Sequence, residues 1–410
     1  MYNTMTYVCL LGIVLCTPHA LRAETLTLED ALTQVLANHP QIDIQQYEIE
    51  KAQGQRQTAS QWPNPTLDYR REDLRNKGLE NGEWTAGMGV PLNKLWTRGA
   101  RIGAAEAQLQ MALLHTIQTR NTLRFAVQKA YVQSYFAQQR QQVWSRVSTL
   151  FDEATRIGQV RLAEGDIGHY EQQRLVLEAR QYDQREAIAR VRWTQYQQRL
   201  VLLLATPSGH TSYDLAPVVA DSALVIDLSL LEKQALKNRA DVLLAQAEYH
   251  VRKAEQRVAQ RGRWPETQLF VGYKKQTDDF QGVAAELSLE LPFFDRRQGE
   301  IRRTKAVAQQ QIRRAEWQEQ QALQEVRQAY ARYRLYREQV DHIDRDQMSE
   351  QMLDIARYAY GEGEMSLVAW IDAIRAYGET FTLRFELLEQ YQLSLFELEQ
   401  ATGTALVYPE

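Results

Sequence analysis

The chain is written twice. At a shift of roughly 200 residues, short matches run in the same order through both halves. Asn38-His39-Pro40-Gln41-Ile42 answers Asn238-Arg239-Ala240-Asp241-Val242, and Gln61-Trp62-Pro63 answers Arg263-Trp264-Pro265. Val90-Pro91-Leu92 answers Leu291-Pro292-Phe293, and Val127-Gln128-Lys129-Ala130-Tyr131 answers Val326-Arg327-Gln328-Ala329-Tyr330. Glu164-Gly165-Asp166 and Ala205-Thr206 answer Glu362-Gly363-Glu364 and Ala401-Thr402. Helical heptads align with almost anything, but the Trp-Pro, Pro and Gly anchors lie outside or at the ends of heptads. Collinear anchors mean duplication: any architecture built by residues 24–206 is built again by 228–404. Residues 207–227, with Pro207, Gly209 and Pro217, read as the linker between them, and 405–410 as a tail.

Each half reads as two helices, a strand pair, then two very long helices. Thr27 is placed to cap the first helix, with Asp30 at its third position. Asn38-His39-Pro40 breaks that helix, and Pro63 and Pro65 stop the second near Gln61. The strand pairs fall at about 66–92 and 267–292. Val283, Ala285, Leu287, Leu289 and Leu291 alternate with Ala284, Glu286, Ser288 and Glu290. Trp84, Ala86, Met88 and Val90 alternate with Thr85, Gly87 and Gly89, and Leu67 and Tyr69 with Asp68 and Arg70. Leu269, Val271 and Tyr273 follow the same rule, and Phe270 breaks it. Period two with one apolar face marks a half-buried strand. Runs of this length suit a tilted membrane-crossing strand, and equally a soluble sheet with one wet face.

The helices bear on that choice. No proline occurs from Thr97 to Leu162, and apolar or small residues recur at spacings of three and four, as at Leu123, Ala126, Ala130, Val143, Val147, Leu150, Ala154 and Ile157. At 1.5 Å per residue this predicts a helix roughly 100 Å long. A partner is expected from Gly168 to Ala205. The second half predicts helices from about Gly299 to Tyr360 and from Leu367 to Ala401. Their outer faces are rich in Gln, Arg and Glu, so the rods face water. Four strands cannot close a barrel, and an open edge is not tolerated in lipid. Closure needs strands from other copies, eight from two chains or twelve from three. The expectation is an obligate oligomer, mainly helical with a small β part, whose strands share one barrel and whose helices continue as a wet tube.

Composition removes other classes. With 410 residues, 24% of them charged, and a net charge of −4, the chain is neither a strongly basic nucleic-acid binder nor an acidic tail protein. The only cysteines are Cys9 and Cys16, which excludes disulfides, Cys-ligated zinc and a cysteine nucleophile from the rest. The apolar run Tyr7–Leu15, followed by Leu21-Arg22-Ala23, reads as a secretory signal over residues 1–23. Leu15 is too large for lipidation at Cys16. Nowhere do 18 apolar residues run together, so no membrane-spanning helix is expected. Phosphate-loop, dinucleotide, zinc-protease and nucleophile-elbow motifs are absent, and no enzyme or cofactor is expected. The acid cluster Asp341-His342-Ile343-Asp344-Arg345-Asp346 spreads over several helix faces and reads as solvated.

From Thr25 to Thr404 the chain resembles the TolC-like outer-membrane efflux family. The resemblance is carried by Leu28-Glu29-Asp30-Ala31-Leu32 with Asn38-His39-Pro40, by Trp62-Pro63-Asn64-Pro65 and by Leu291-Pro292-Phe293-Phe294. The turns Arg161-Leu162-Ala163-Glu164-Gly165-Asp166-Ile167 and Arg357-Tyr358-Ala359-Tyr360-Gly361-Glu362-Gly363-Glu364-Met365-Ser366 complete it. Pro-Asn-Pro and the compact length are most similar to the CzcC-like heavy-metal branch. The resemblance implies a homotrimer with a 12-stranded barrel in outer-membrane lipid of a Gram-negative bacterium, and a periplasmic helical tunnel. It implies a periplasmic adaptor and an inner-membrane pump of the resistance-nodulation-division type as partners. It places adaptor contacts at Arg161, Leu162, Gly165, Asp166, Tyr360, Gly363, Glu364 and Ser366. It places the pore constriction at Asp372, with Glu171 in the first repeat. Where the family often carries a second acid, three residues before Asp372, this chain has Ala369. Metal cations, drugs and secreted proteins (by a type I duct) stay open as cargo, and an exported coiled-coil scaffold without a channel is the competing expectation.

Overall fold

In a computed structural model, residues 25–76, 79–205, 212–218, 227–343 and 350–406 are described. The expected signal segment, most of the tail and much of the linker lie outside them. The first repeat contains α1 (Leu28–Asn38), α2 (Pro40–Ser60), β1 (Thr66–Asn76), β2 (Leu79–Pro91), α3 (Lys94–Glu164) and α4 (His169–Leu204). The second contains α5 (Leu228–Asn238), α6 (Ala240–Arg261), β3 (Thr267–Gln276), β4 (Gln281–Leu289), α7 (Gln298–Ile343), α8 (Glu350–Gly361) and α9 (Leu367–Thr402). The halves correspond closely: α1 and α5 both have 11 residues, and α4 and α9 both have 36. The expected helix from 299 to 360 is described as α7 and α8, and residues 344–349 lie outside the description.

Local chemistry sets the boundaries. Thr27 Oγ1 accepts from Asp30 N at 3.1 Å, and Asp30 returns a bond to Thr27 N, a capping box. Pro40 opens α2 at a position where its missing N–H costs nothing. α3 has 71 residues, roughly 105 Å at the standard rise. It runs the length of the molecule, flanked by α2 and α6 toward the strands and by α4 and α9 toward the other end. α7 lies beside α6 above and α9 below.

Three cores hold these rods. Leu28, Leu32 and Val35 of α1 pack on Leu123, Val127 and Tyr131 of α3, with Leu200 and Leu204 of α4. The second-repeat counterpart sets Leu231 and Ala235 of α5 against Val326, Ala329 and Tyr333 of α7 and Leu395 of α9. A third core, toward the far end, joins Val147, Leu150 and Phe151 to Leu175, Tyr182, Trp370, Ile371 and Ile374. The stretch Tyr391–Phe396 of α9 is buried at every position, because α3 grips it on one side and α7 on the other.

The segment 212–218, expected as a plain linker, is a packed strap. Leu215 is buried and bridges Leu26 in parallel, and the Tyr131 hydroxyl lies 2.6 Å from Leu26 O and 2.9 Å from Ala216 O. At the matching level of the second repeat, Arg239 is buried. It bonds Asp241 at 2.7 Å and Glu325 at 2.6 Å, and Gly403 (φ +66°) passes so close that a Cβ there would meet Arg239 backbone at 2.9 Å.

Glu389 of α9 is buried and paired with Arg140 of α3 at 2.5 Å. Burial still pushes its carboxyl above the ordinary value, against the pull of Arg140. Removing Arg140 would leave the carboxylate unpaired, which costs about 3 kcal/mol in buried pairs. Arg140→Met is expected to lower the melting temperature at pH 8. A raised carboxyl gives up stability as pH rises through its folded value, so part of the loss should return at pH 5, and also in Arg140→Met/Glu389→Gln. Equal losses at both pH values would contradict this.

Candidate functional site

The strands form one antiparallel sheet in the order β1-β2-β3-β4, so β1 and β4 each keep an unpaired edge. The register aligns every apolar row. Leu67 pairs with Met88, Met88 with Val271, and Val271 with Ala285. Tyr69, Ala86, Tyr273 and Val283 make the next row, and Val90, Leu269 and Leu287 another. This face has no cover: Leu67 and Val283 are each 81% exposed, and Leu287 57%. Toward its far end Trp84 stacks on Tyr69 and approaches Tyr273, ring centroids 6.4 and 6.0 Å apart. The opposite face carries Asp68, Arg70, Glu72, Thr85, Glu286 and Ser288, with Lys274 paired to Glu83 at 2.6 Å.

Phe270 sits on this polar face, and the reason is steric. Its ring lies over the paired glycines Gly87 and Gly272, where a Cβ would stand 2.6 and 2.7 Å from Phe270 Cζ. The phenyl covers backbone that no side chain can cover, so the irregular position serves the strand pattern.

At the other end of the rods lie the two turns. Gly165 (φ +86°) and Gly363 (φ +82°) take left-handed conformations that end α3 and α8. Asp166 N donates to Arg161 O at 2.9 Å, and Glu364 N to Ala359 O at 2.9 Å. Gly165, Asp166, Gly363, Glu364 and Ser366 are exposed, and Ser366 Oγ caps α9 through Ala369 N. Leu162 is half-buried.

The structure brings the two turns together through Arg161. Its Nη2 donates to Tyr360 O at 2.6 Å, and its guanidinium lies 4.8 Å from the Tyr360 ring centroid. Tyr360 is 1% exposed and stacks on Trp370 at 5.7 Å. Burial pushes its phenol up, Arg161 pulls it down, and the nearby Glu171 raises it further. Tyr360 is thus a clasp between turns, and its side chain offers little to an outside partner.

Glu171 accepts from Gly168 N at 3.0 Å and so caps α4. Asp372 stands apart on α9 with its side chain 62% exposed, 4.0 Å from Arg375. Arg375 in turn reaches Glu178 of α4 at 3.0 Å. Arg357 pairs with Glu153 at 2.9 Å, and Arg146 lies 3.9 Å from Asp354. Sequence reasoning missed these cross-links, because each joins residues about 200 positions apart.

Residues 231–404 match the family described as "Outer membrane efflux protein". The cobalt-zinc-cadmium resistance protein CzcC of Cupriavidus metallidurans is 25% identical over 287 residues, covering 68% of this chain and 66% of that one, just under two thirds of its length. The outer-membrane channel OprN shares the fold with a TM-score of 0.77, at 16% identity over 92% of this chain and 89% of that one. The CmeC outer membrane channel of Campylobacter jejuni does so with a TM-score of 0.75, at 17% identity over 92% and 85%.

Arg161→Ala is expected to release the clasp, worth about 2 kcal/mol for one charged hydrogen bond and one ring contact. Hydrogen exchange over residues 357–366 should quicken by about tenfold or more, with the overall fold intact. Unchanged exchange would show that the clasp does not hold the turns.

Proposed function

We propose that this chain is a TolC-like outer-membrane efflux protein, the outer-membrane exit duct of a tripartite efflux pump, a reading supported by the family match over residues 231–404 and by the shared fold. Three copies pool their strands into a 12-stranded barrel in the outer membrane of a Gram-negative bacterium. The helices continue as a tunnel into the periplasm. A periplasmic adaptor meets the turns and joins the duct to an inner-membrane pump of the resistance-nodulation-division type.

One observation carries this reading: a four-stranded sheet with a bare apolar face and both edges unpaired. In water such a face and such edges aggregate, and in lipid the edges need closure by like strands. Among the described residues no helix is long and apolar enough to cross a membrane.

The exposed turn residues Gly165, Asp166, Gly363, Glu364 and Ser366 offer the adaptor contact. Arg161 and Tyr360 keep the turns in place, and Leu162 beside them is half-buried. Asp372 is the carboxylate placed to ring the periplasmic end in three copies. Glu171 is already engaged in capping α4. Family members are transport channels, and the duct is passive, with energy supplied by the pump. Heavy-metal cations are the proposed cargo, supported by the name of the Cupriavidus relative and by the exposed acid at the tip.

Two measurements test this. Leu287→Arg puts a cation on the lipid face at a cost of about 2–4 kcal/mol per copy at mid-depth. It should abolish heat-resistant trimers in outer-membrane fractions, whereas Ser288→Arg on the other face should preserve them. Deletion of the gene should sensitise cells to cobalt, zinc and cadmium salts. Soluble monomers of the unaltered protein would refute the duct, and sensitivity to drugs alone would refute the cargo.

A further inference from the structure

Just below the strands, α2, α3, α6 and α7 stand side by side in that order. A hollow bordered by all four must lie on the concave side of the row, because on the convex side the outer helices turn away from each other. Such a hollow exists, about 980 Å³ in volume. Six cations line it: Lys51, Lys94, Arg101, Arg252, Arg297 and Arg303. In a chain of net charge −4, composition alone does not produce this. Acids offset four of them. Arg252 pairs with Glu255 at 3.0 Å, Arg303 with Glu300 at 2.7 Å, Arg297 with Glu266 at 3.4 Å, and Lys51 with Glu48. Lys94 and Arg101 have no acidic partner among the described residues.

Two of these cations sit where local preference opposes them. Lys94 is the first residue of α3, an end that favours negative charge. Asn93 makes no side-chain cap there, and the first turn holds no acid. Arg297, just ahead of α7, has φ 54°, a left-handed conformation that residues with a Cβ avoid. Its carbonyl accepts from Ile301 N in the first turn of α7. Positive side chains are therefore held beside two helix N-termini whose free N–H groups already attract anions. A bound anion would satisfy both.

We propose that this hollow is an anion-binding vestibule of the lumen, which takes multivalent oxyanions between Lys94 and Arg101 of each copy. The proposal rests on the duct reading, since only a closed trimer turns the concave side into a lumen. The tunnel then has ends of opposite sign: Asp372 near the periplasmic turns and a cationic belt beneath the barrel. The cationic belt holds counter-anions at the exit.

The test is calorimetric titration of tripolyphosphate into the purified, detergent-solubilised full-length protein, with particle mass measured on the same preparation. A saturable binding heat is expected, weakened by added salt. Lys94→Gln/Arg101→Gln should lower the affinity by at least about tenfold, the worth of one lost charged hydrogen bond, and Arg101→Gln alone by a smaller factor. Arg56→Gln removes a cation that pairs with Glu106 outside the lining, and should leave binding unchanged. Absence of saturable binding by the wild-type trimer, or equal binding by the wild type and both Arg101 variants, overturns the vestibule while leaving the duct standing. A wild-type monomer overturns the duct itself.

Discussion

Unpaired backbone at the two sheet edges governs this molecule. Each N–H and C=O along the outer sides of β1 and β4 must find a partner, and the described residues hold no fifth strand to provide it. A longer sheet could have curled on itself. Four strands of about ten residues are too few for the smallest barrels, so in the proposed duct the requirement passes to other copies. The duplication then has a physical meaning. Each half supplies one hairpin and the rods beneath it, and one chain supplies two such units.

Much of this is legible before any coordinates. Thr27 and Asp30 announce a helix start because a capping box is local chemistry, closed within three residues. The strand faces are legible because side chains alternate with period two, whatever lies around them. The rods are legible because uninterrupted spacings of three and four leave no other conformation open. What escapes the sequence is everything decided across the duplication. Arg161 meets Tyr360, Arg375 meets Glu178, and Arg239 meets Glu325, all through packing that no local pattern encodes. Tyr360 shows the cost: its place in a turn suggests exposure, yet Trp370 and Arg161 enclose it. Phe270 shows the reverse. Its break in alternation looks like noise until the glycines beneath it are seen. The strap at 212–218 was hidden because Pro207, Gly209 and Pro217 signal a turn without revealing that Leu215 is covered.

The polar interior follows from the same logic. In the proposed duct the rods enclose water and carry charges on both surfaces, so charge by itself identifies no site. Distinction comes from charges that lack a partner or oppose their own backbone, as at Lys94 and Arg297, and from acids set near a turn, as at Asp372. Ion pairs such as Arg56 with Glu106 fasten neighbouring helices and contribute little individually.

The middle of α9 has a mechanical consequence. Tyr391–Phe396 is enclosed on every side, while the helix start at Leu367 lies near the turns. The 24 residues between Leu367 and Tyr391 make an arm of roughly 36 Å. Its start is held as well, by the core in which Trp370, Ile371 and Ile374 meet α3 and α4, so that end can move only together with the helices around it. Tilting this group by about 5° about the gripped stretch sweeps the turns through about 3 Å, the width of a water molecule, while the middle of α9 stays in place.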